Sequence, residues 1–232
     1  MSNASDGRIS RSIALVAALA LGCSSSSAQD PVKVAPNNYK VALENDNVRV
    51  LSVTVKAGEK IATHSHPDHV VYPIKGGKVK FTYPDGKTKD VELKAGEATY
   101  SKAETHQPEN TGSGELKLVV FELKKPAGSA PKAPAGDDQV KAAGDITKVV
   151  LENDRVRVFE TKLKAGGKMA KHTHPAYVVY ALTDAKVKMT AGDKTEEKSM
   201  TAGQAIWGEP TTHTVENSGS SEAHSLALEL KN

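Results

Sequence analysis

The sequence predicts an all-β protein built as two tandem small antiparallel β-barrels, and three observations carry that expectation. The chain has 232 residues, enough for two domains of about 100 residues that each bury a core. Its apolar residues recur with period two rather than the helical period of about 3.6. A set of short motifs also returns at a nearly constant offset along the chain.

Taken in chain order, the first segment reads as a processing signal. Arg8 and Arg11 are followed by an apolar run over residues 13–21 and then by small residues. That run is about half of the ~20 apolar residues needed to cross a bilayer, so residues 1–28 read as a secretory signal peptide rather than a transmembrane span. The expected location is therefore periplasmic or secreted. Two processing readings compete: cleavage after Ser26-Ser27-Ala28 leaves Gln29 first, whereas Ala20-Leu21-Gly22-Cys23 resembles a lipoprotein signal that would anchor the protein through Cys23. Cys23 is the single cysteine, so neither disulfides nor thiolates are available to the folded part.

Composition narrows the partners. Lys plus Arg number 31 and Asp plus Glu 28, for a formal charge of +3, and the excess is scattered. Without a basic stripe and interleaved aromatics, nucleic acid is excluded as an expected partner. A small-molecule ligand or substrate is expected instead.

The repeat defines the domains. Glu44-Asn45-Asp46-Asn47-Val48-Arg49-Val50 returns as Glu152-Asn153-Asp154-Arg155-Val156-Arg157-Val158, an offset of 108. Lys56-Ala57-Gly58, His64-Ser65-His66-Pro67 and Val70-Val71-Tyr72 return at the same offset. Ala95-Gly96 and Glu109-Asn110 return at 107, which places a one-residue loss in the Tyr83-Pro84-Asp85-Gly86 turn, where hairpins tolerate it best. The domains are read as 37–124 and 145–232, joined by a Pro/Ala/Gly/Lys-rich linker over 125–144. Within each, runs such as Val79, Phe81 and Tyr83 alternate with Lys78, Lys80 and Thr82, as in strands with one face in water.

The histidines follow the repeat. His64 and His66 share one face of a strand, and His106 can join them only through folding; His172, His174 and His213 repeat the arrangement. Three imidazoles on one barrel face are suited to holding Zn, Fe, Mn, Cu or Ni with coordination positions left open. One divalent transition metal per domain is expected.

These residues resemble the cupins, and the duplication resembles a bicupin, with the double-stranded β-helix or jelly-roll fold that implies. Gly58 with His64-Ser65-His66, and Gly166 with His172-Thr173-His174, match the opening of the first cupin motif. Gly96, His106 and Asn110, then Gly203, His213 and Asn217, match the second. The cupin glutamate ligand is missing from both copies. Counting back from Gly76 puts His69 in that slot and Tyr177 in its counterpart, while counting from Gly77 puts Val70 there. The first site then offers four histidines, His64, His66, His69 and His106; Tyr177 reads better as a wall residue than as a ligand. His224 has no counterpart and reads as a surface or edge histidine. Tyr100 and Trp207 read as core or pocket-mouth aromatics.

The resemblance implies dioxygenase, decarboxylase or isomerase chemistry on a small anionic substrate, with a dioxygenase-like oxidoreductase as the leading reading. No carboxylate is expected in either pocket, which weakens a decarboxylase reading. The alternatives are a non-catalytic ligand- or metal-binding module and a scaffold with vestigial sites. A homodimer is expected by analogy only.

Overall fold

In a computed structural model that describes Met1, residues 29–126 and residues 128–231, each repeat folds into nine antiparallel strands. The expected signal peptide and Cys23 lie outside the described residues. Among the described residues no helix is long and apolar enough to cross a membrane.

The first barrel runs β1 (Tyr39–Glu44), β2 (Val48–Val55), β3 (His64–His66), β4 (His69–Lys75), β5 (Gly77–Thr82), β6 (Thr88–Leu93), β7 (Thr99–Ser101), β8 (Glu104–Asn110) and β9 (Leu116–Leu123). The second runs β10 (Thr147–Glu152), β11 (Val156–Leu163), β12 (Lys168–His174), β13 (Tyr177–Ala181), β14 (Ala185–Ala191), β15 (Lys194–Met200), β16 (Ala205–Gly208), β17 (Thr211–Asn217) and β18 (Ala223–Leu230). Each barrel pairs a five-stranded sheet, ordered β1-β2-β9-β4-β7 or β10-β11-β18-β13-β16, with a four-stranded one, ordered β3-β8-β5-β6 or β12-β17-β14-β15. The two orders are the same under the repeat. So is the β-bulge at Val41/Leu43 and Val149/Leu151.

The strands of the five-stranded sheets do not keep one face in water. On β9, Leu116 and Val120 point into the barrel with Leu51, Val53 and Val79. Val119, Phe121 and Leu123 point the other way, into a second core shared with Val156, Val158, Val178, Leu226 and Leu228 of the second barrel. The two five-stranded sheets thus pack face to face, which departs from the expectation of separate cores and of strands with a wet face. The physical reason is that β9 and β18 carry buried apolar side chains on both faces, and such strands need cover on both sides. Burying Phe121 and Leu228 fully is worth about 1.5–3 kcal/mol each. Polar contacts cross the same interface: Arg155 meets Asp68 at 2.5 Å and the hydroxyls of Ser52 and Tyr180 lie 2.8 Å apart.

The expected linker is irregular only in its first part. Thr173 N donates to Asp137 O, and Asp138 caps α2 (Gln139–Ala142) by accepting from Lys141 N at 2.9 Å. The first barrel is built the same way, with Ser65 N donating to Gln29 O and Asp30 capping α1 (Pro31–Val34). Arg49 and Arg157 pair with these two aspartates. The structural repeat therefore starts before 37 and before 145.

Candidate metal centres

Strand pairing brings the histidines together. On β3 and β8, His64 lies directly opposite His106; on β12 and β17, His172 lies opposite His213. His66 and His174, two residues on, face the same way. The turn leading into each histidine strand uses a glycine in the left-handed region, Gly58 at φ 72° and Gly166 at φ 71°, where residues with a Cβ are disfavoured. Each of these glycines donates its N–H, at 2.9 Å, to the carbonyl of the asparagine in the second motif, Asn110 or Asn217. Those asparagines spend their own amides on backbone carbonyls, Val55 O and Gly114 O in one barrel and Leu163 O and Ser221 O in the other. Their role is to tie the two motifs together.

All six imidazoles are buried, and in each triad the ligating atoms lie within 4.8 Å of one another. Ring centroids are 4.9 Å apart for His64 and His66 and 5.0 Å for His64 and His106, against 4.8 Å and 4.6 Å for the matching pairs of the second barrel. The hydrogen bonds fix which nitrogen faces inward. His64 Nδ1 meets Ala62 O at 2.8 Å and His172 Nδ1 meets Ala170 O at 2.7 Å. His66 Nδ1 meets a carboxylate oxygen of Glu122 at 2.6 Å, and His174 Nδ1 meets Glu229 at 2.7 Å. An Nδ1–H donated to a carbonyl or carboxylate leaves the Nε2 lone pair free, the arrangement that orients metal-ligating histidines. His172 Nε2 and His213 Nε2 stand 3.0 Å apart, the span of two ligands at right angles on one ion with bonds of about 2.1 Å.

Electrostatics favour the neutral form of His64, His172 and His213. Burial, reinforced by the neighbouring imidazoles, lowers His64 to about 4 and His213 to about 3, and pulls His172 down as well. A neutral imidazole is the form that binds a metal. The donor set, its protonation and its orientation fit a transition-metal ion in both barrels.

Behind the first triad runs a chain of charge. Arg49, Glu122 and His69 are consecutive partners across β2, β9 and β4 and point into the barrel. Glu122 is 1% exposed and accepts from Arg49 Nε at 2.5 Å as well as from His66. Burial pushes the Glu122 carboxyl up, but the bonds from His66 and Arg49 outweigh it and hold the group below its ordinary value. The second barrel breaks this chain. Arg157 is held by Asp138 at 2.9 Å and Glu152 at 3.0 Å, and its Nε is buried with no partner among the described residues.

The cavities in front of the triads differ. The first, about 290 Å³, is lined by apolar side chains together with His66, His69, His106, Tyr83 and Glu104. Glu104 corrects the expectation of a pocket without a carboxylate: it meets His106 Nδ1 at 3.1 Å and lies 4.0 Å from His69 Nε2. The hydrogen bond with His106 holds its carboxyl below the usual range, against the opposing effect of burial. The second cavity, about 100 Å³, is lined mainly by aliphatic and methionine side chains besides its histidines.

The remaining candidates fall into place. His69 and Tyr177 occupy equivalent rows facing into their barrels, while Val70 faces the shared core. His69 stands beside His66, with 4.9 Å between ring centroids, but its ligating atoms lie outside the tight triad. Its Nδ1 meets Pro67 O at 2.8 Å, and burial lowers its pKa to about 4. Tyr177 stacks on His174 at 4.4 Å and 24°, presenting its ring face to the ligand set; burial raises its hydroxyl to about 12. His224 meets Glu160 at 2.5 Å near the shared interface and lines the second cavity. The Tyr100 hydroxyl donates to Asp68, and Trp207 packs against the shared core. Sequence reading missed Glu122, Glu229 and Glu104. Glu122 and Glu229 carried a signal, since they recur at the 107 offset between apolar neighbours, Phe121 and Leu123 in one copy and Leu228 and Leu230 in the other.

Residues 51–122 match the family model described as a cupin domain. Among solved structures, AerE from Microcystis aeruginosa is similar with a TM-score of 0.57 and 13% identity, over 84% of this chain and 98% of that one. The oxalate decarboxylase of Bacillus subtilis, a protein with Mn(II) centres, is similar with a TM-score of 0.59 and 15% identity, over 87% of this chain and 72% of that one. At these identities the likeness concerns the fold. No curated protein matches the chain.

Proposed function

We propose that the chain is a bicupin, a reading supported by the cupin-domain match over residues 51–122 and by the duplicated fold, and that each barrel holds one transition metal. His64, His66 and His106 are the proposed ligands of the first and His172, His174 and His213 those of the second. The observation that carries this reading is the outward Nδ1 bonding of His64, His66, His172 and His174, which turns their Nε2 atoms toward the centre of each triad, where His64 Nε2 accepts from the Tyr39 hydroxyl at 2.9 Å and His172 Nε2 meets His213 Nε2.

We further propose that the first barrel is a dioxygenase-like oxidoreductase acting on a small anionic, oxygen-containing substrate. A bound metal there supplies Lewis acidity and open coordination sites, its charge uncompensated by three neutral imidazoles. The chain's own residues do the rest. The cavity is large enough for a small molecule, and its lining sets Lys89, Ser101 and Tyr83 among apolar side chains. Ionised Glu104 stands at the inner end as a proton acceptor, and its bond to His106 fixes where it points. A carboxylate held ionised is suited to removing a proton rather than supplying one. His69, beside it, is neutral and offers a second polar contact.

The second barrel supports a different reading, a metal-binding module without turnover. Its cavity is smaller and more apolar, and Thr211 stands where the first barrel has Glu104. An N-terminal segment of secretory character supports export as part of the proposal.

Oxygen uptake by the metal-loaded protein, screened with small keto acids, dicarboxylates and diketones, tests the catalytic part. Turnover abolished by His66→Ala and retained by His174→Ala is the expected result. Uptake with none of these substrates under any metal loading contradicts it.

A further inference from the structure

Every internal methionine of the chain lines one cavity. The sequence contains four, and apart from Met1 they are Met169, Met189 and Met200. All three border the second cavity together with His172, His174 and His213. At the repeat offsets of 108 and 107, their counterparts in the first barrel are Ile61, Phe81 and Leu93. The second barrel has therefore exchanged aliphatic and aromatic wall for thioether at three positions. It has also exchanged two further donors beside the first triad, since His69 corresponds to Tyr177 and Glu104 to Thr211.

Strand register places two of the three methionines, Met169 and Met189, one row from the histidines. On β17, Val215 follows His213 by two residues and faces the same side. Val215 is flanked across the sheet by Met169 on β12 and by Met189 on β14. This methionine row lies one step, about 7 Å along the strands, from the row that pairs His172 with His213. A methionine side chain spans a gap of that size with three rotatable bonds. In the first barrel the position of Met189 is held by Phe81, whose ring lies 5.0 Å from that of His106.

Ligand softness decides what such a site selects. Imidazole accepts most first-row ions, carboxylate favours hard ones, and thioether favours Cu(I). We propose that the second barrel is a soft-metal site that takes Cu(I) through His172, His174, His213 and thioether sulfur from the Met169, Met189 and Met200 group. The first barrel, with Glu104 and without methionine, takes a harder divalent ion. This inference rests on the reading that the histidine triads bind metal, and it revises that reading for the second barrel, whose ion is Cu(I) rather than a divalent one, so that the two copies have diverged in what they bind.

The test is a titration of the metal-free full chain with Cu(I), kept reduced under anaerobic conditions, in competition with a chromophoric Cu(I) chelator. Zn(II) and Mn(II) titrations run alongside. One tight Cu(I) per chain is expected, retained in His66→Ala and lost in His174→Ala. Met169→Leu, Met189→Leu and Met200→Leu together should weaken Cu(I) at least tenfold and change Zn(II) binding less than twofold. Leucine nearly conserves volume, and circular dichroism verifies the fold; the three single variants serve if the triple variant does not fold. X-ray absorption of the unmodified Cu(I)-loaded protein should show a sulfur scatterer in the first shell, a readout independent of any variant. Unchanged Cu(I) affinity in the methionine variants with only nitrogen scatterers overturns the inference and leaves the triad reading standing. Failure to bind Cu(I), Zn(II) and Mn(II) alike overturns both.

Discussion

Replacing Glu122 with Gln should cost far more than the same change at Glu229, although the two residues are repeat counterparts. Glu122 is buried and takes hydrogen bonds from His66 Nδ1 at 2.6 Å and Arg49 Nε at 2.5 Å. Glutamine keeps the shape, removes the charge and turns one acceptor into a donor that faces the guanidinium. Breaking a buried ion pair from one side costs about 3–5 kcal/mol. Arg49 keeps its second partner, Asp30, which puts Glu122→Gln at the lower end, about 3 kcal/mol. Arg157 is held by Asp138 and Glu152 instead. Glu229→Gln therefore disturbs mainly the bond to His174, worth about 1–2 kcal/mol. Urea unfolding of the metal-free variants should show a difference of about 1–2 kcal/mol between them. Each variant should also weaken metal at its own site by about 10–100-fold in competition assays. Equal losses of stability, or a larger loss for Glu229→Gln, would refute the reasoning.

Other outcomes follow from the same geometry. His64, His69 and His213 have folded-state pKa values of about 4, 4 and 3, below the unfolded value of about 6.5. The unfolded chain therefore binds protons first as pH falls. The metal-free protein should keep its full stability above about pH 6.5 and lose up to about 1.4 kcal/mol per pH unit for each of these groups below it; denaturant midpoints at pH 7 and pH 5 measure this, and equal midpoints contradict it. Phe121→Ala opens a cavity in the shared core and should cost about 3–5 kcal/mol. Calorimetry should show one transition moving down as a unit, and two transitions of which only one moves contradict a shared core. A Cβ on Gly208 would lie 2.2 Å from Tyr177 Cε1, so Gly208→Ala must displace the ring stacked on His174. It should cost about 1–3 kcal/mol in the native background and little in a Tyr177→Ala background; equal costs in a double-mutant cycle contradict the contact.

The histidine pattern was legible because it is written twice. His-x-His on a strand fixes a shared face by parity, and an offset of 108 rules out scattered surface residues. The all-β fold was legible from the alternation in β5 and its Pro-Asp-Gly turn. The packing of one barrel on the other was not, because an apolar strand reads alike whether its second face meets a helix, a sheet or a partner. Leu116 to Leu123 held a clue, since a strand apolar on both faces has no wet side. Glu122 sits in that strand, so its charge had to face an internal partner, but a single carboxylate near the end of an apolar run does not show which partner that is. Glu104 opens β8 two residues before His106, a position for which the family pattern offered no guide. The start of the repeat at Asp30 and Asp138 stayed hidden because the shared residues there, the aspartate, Val32-Lys33 with Val140-Lys141, and Ala35 with Ala143, form no chemical motif.

The claim that each barrel is a metal site is tested most directly by metal analysis of the purified protein with His66→Ala, His174→Ala and the double variant. The account predicts two ions per chain in the unmodified protein, one in each single variant and none in the double. A protein that is metal-free as purified and takes up none of Zn, Mn, Fe, Cu or Ni would contradict it.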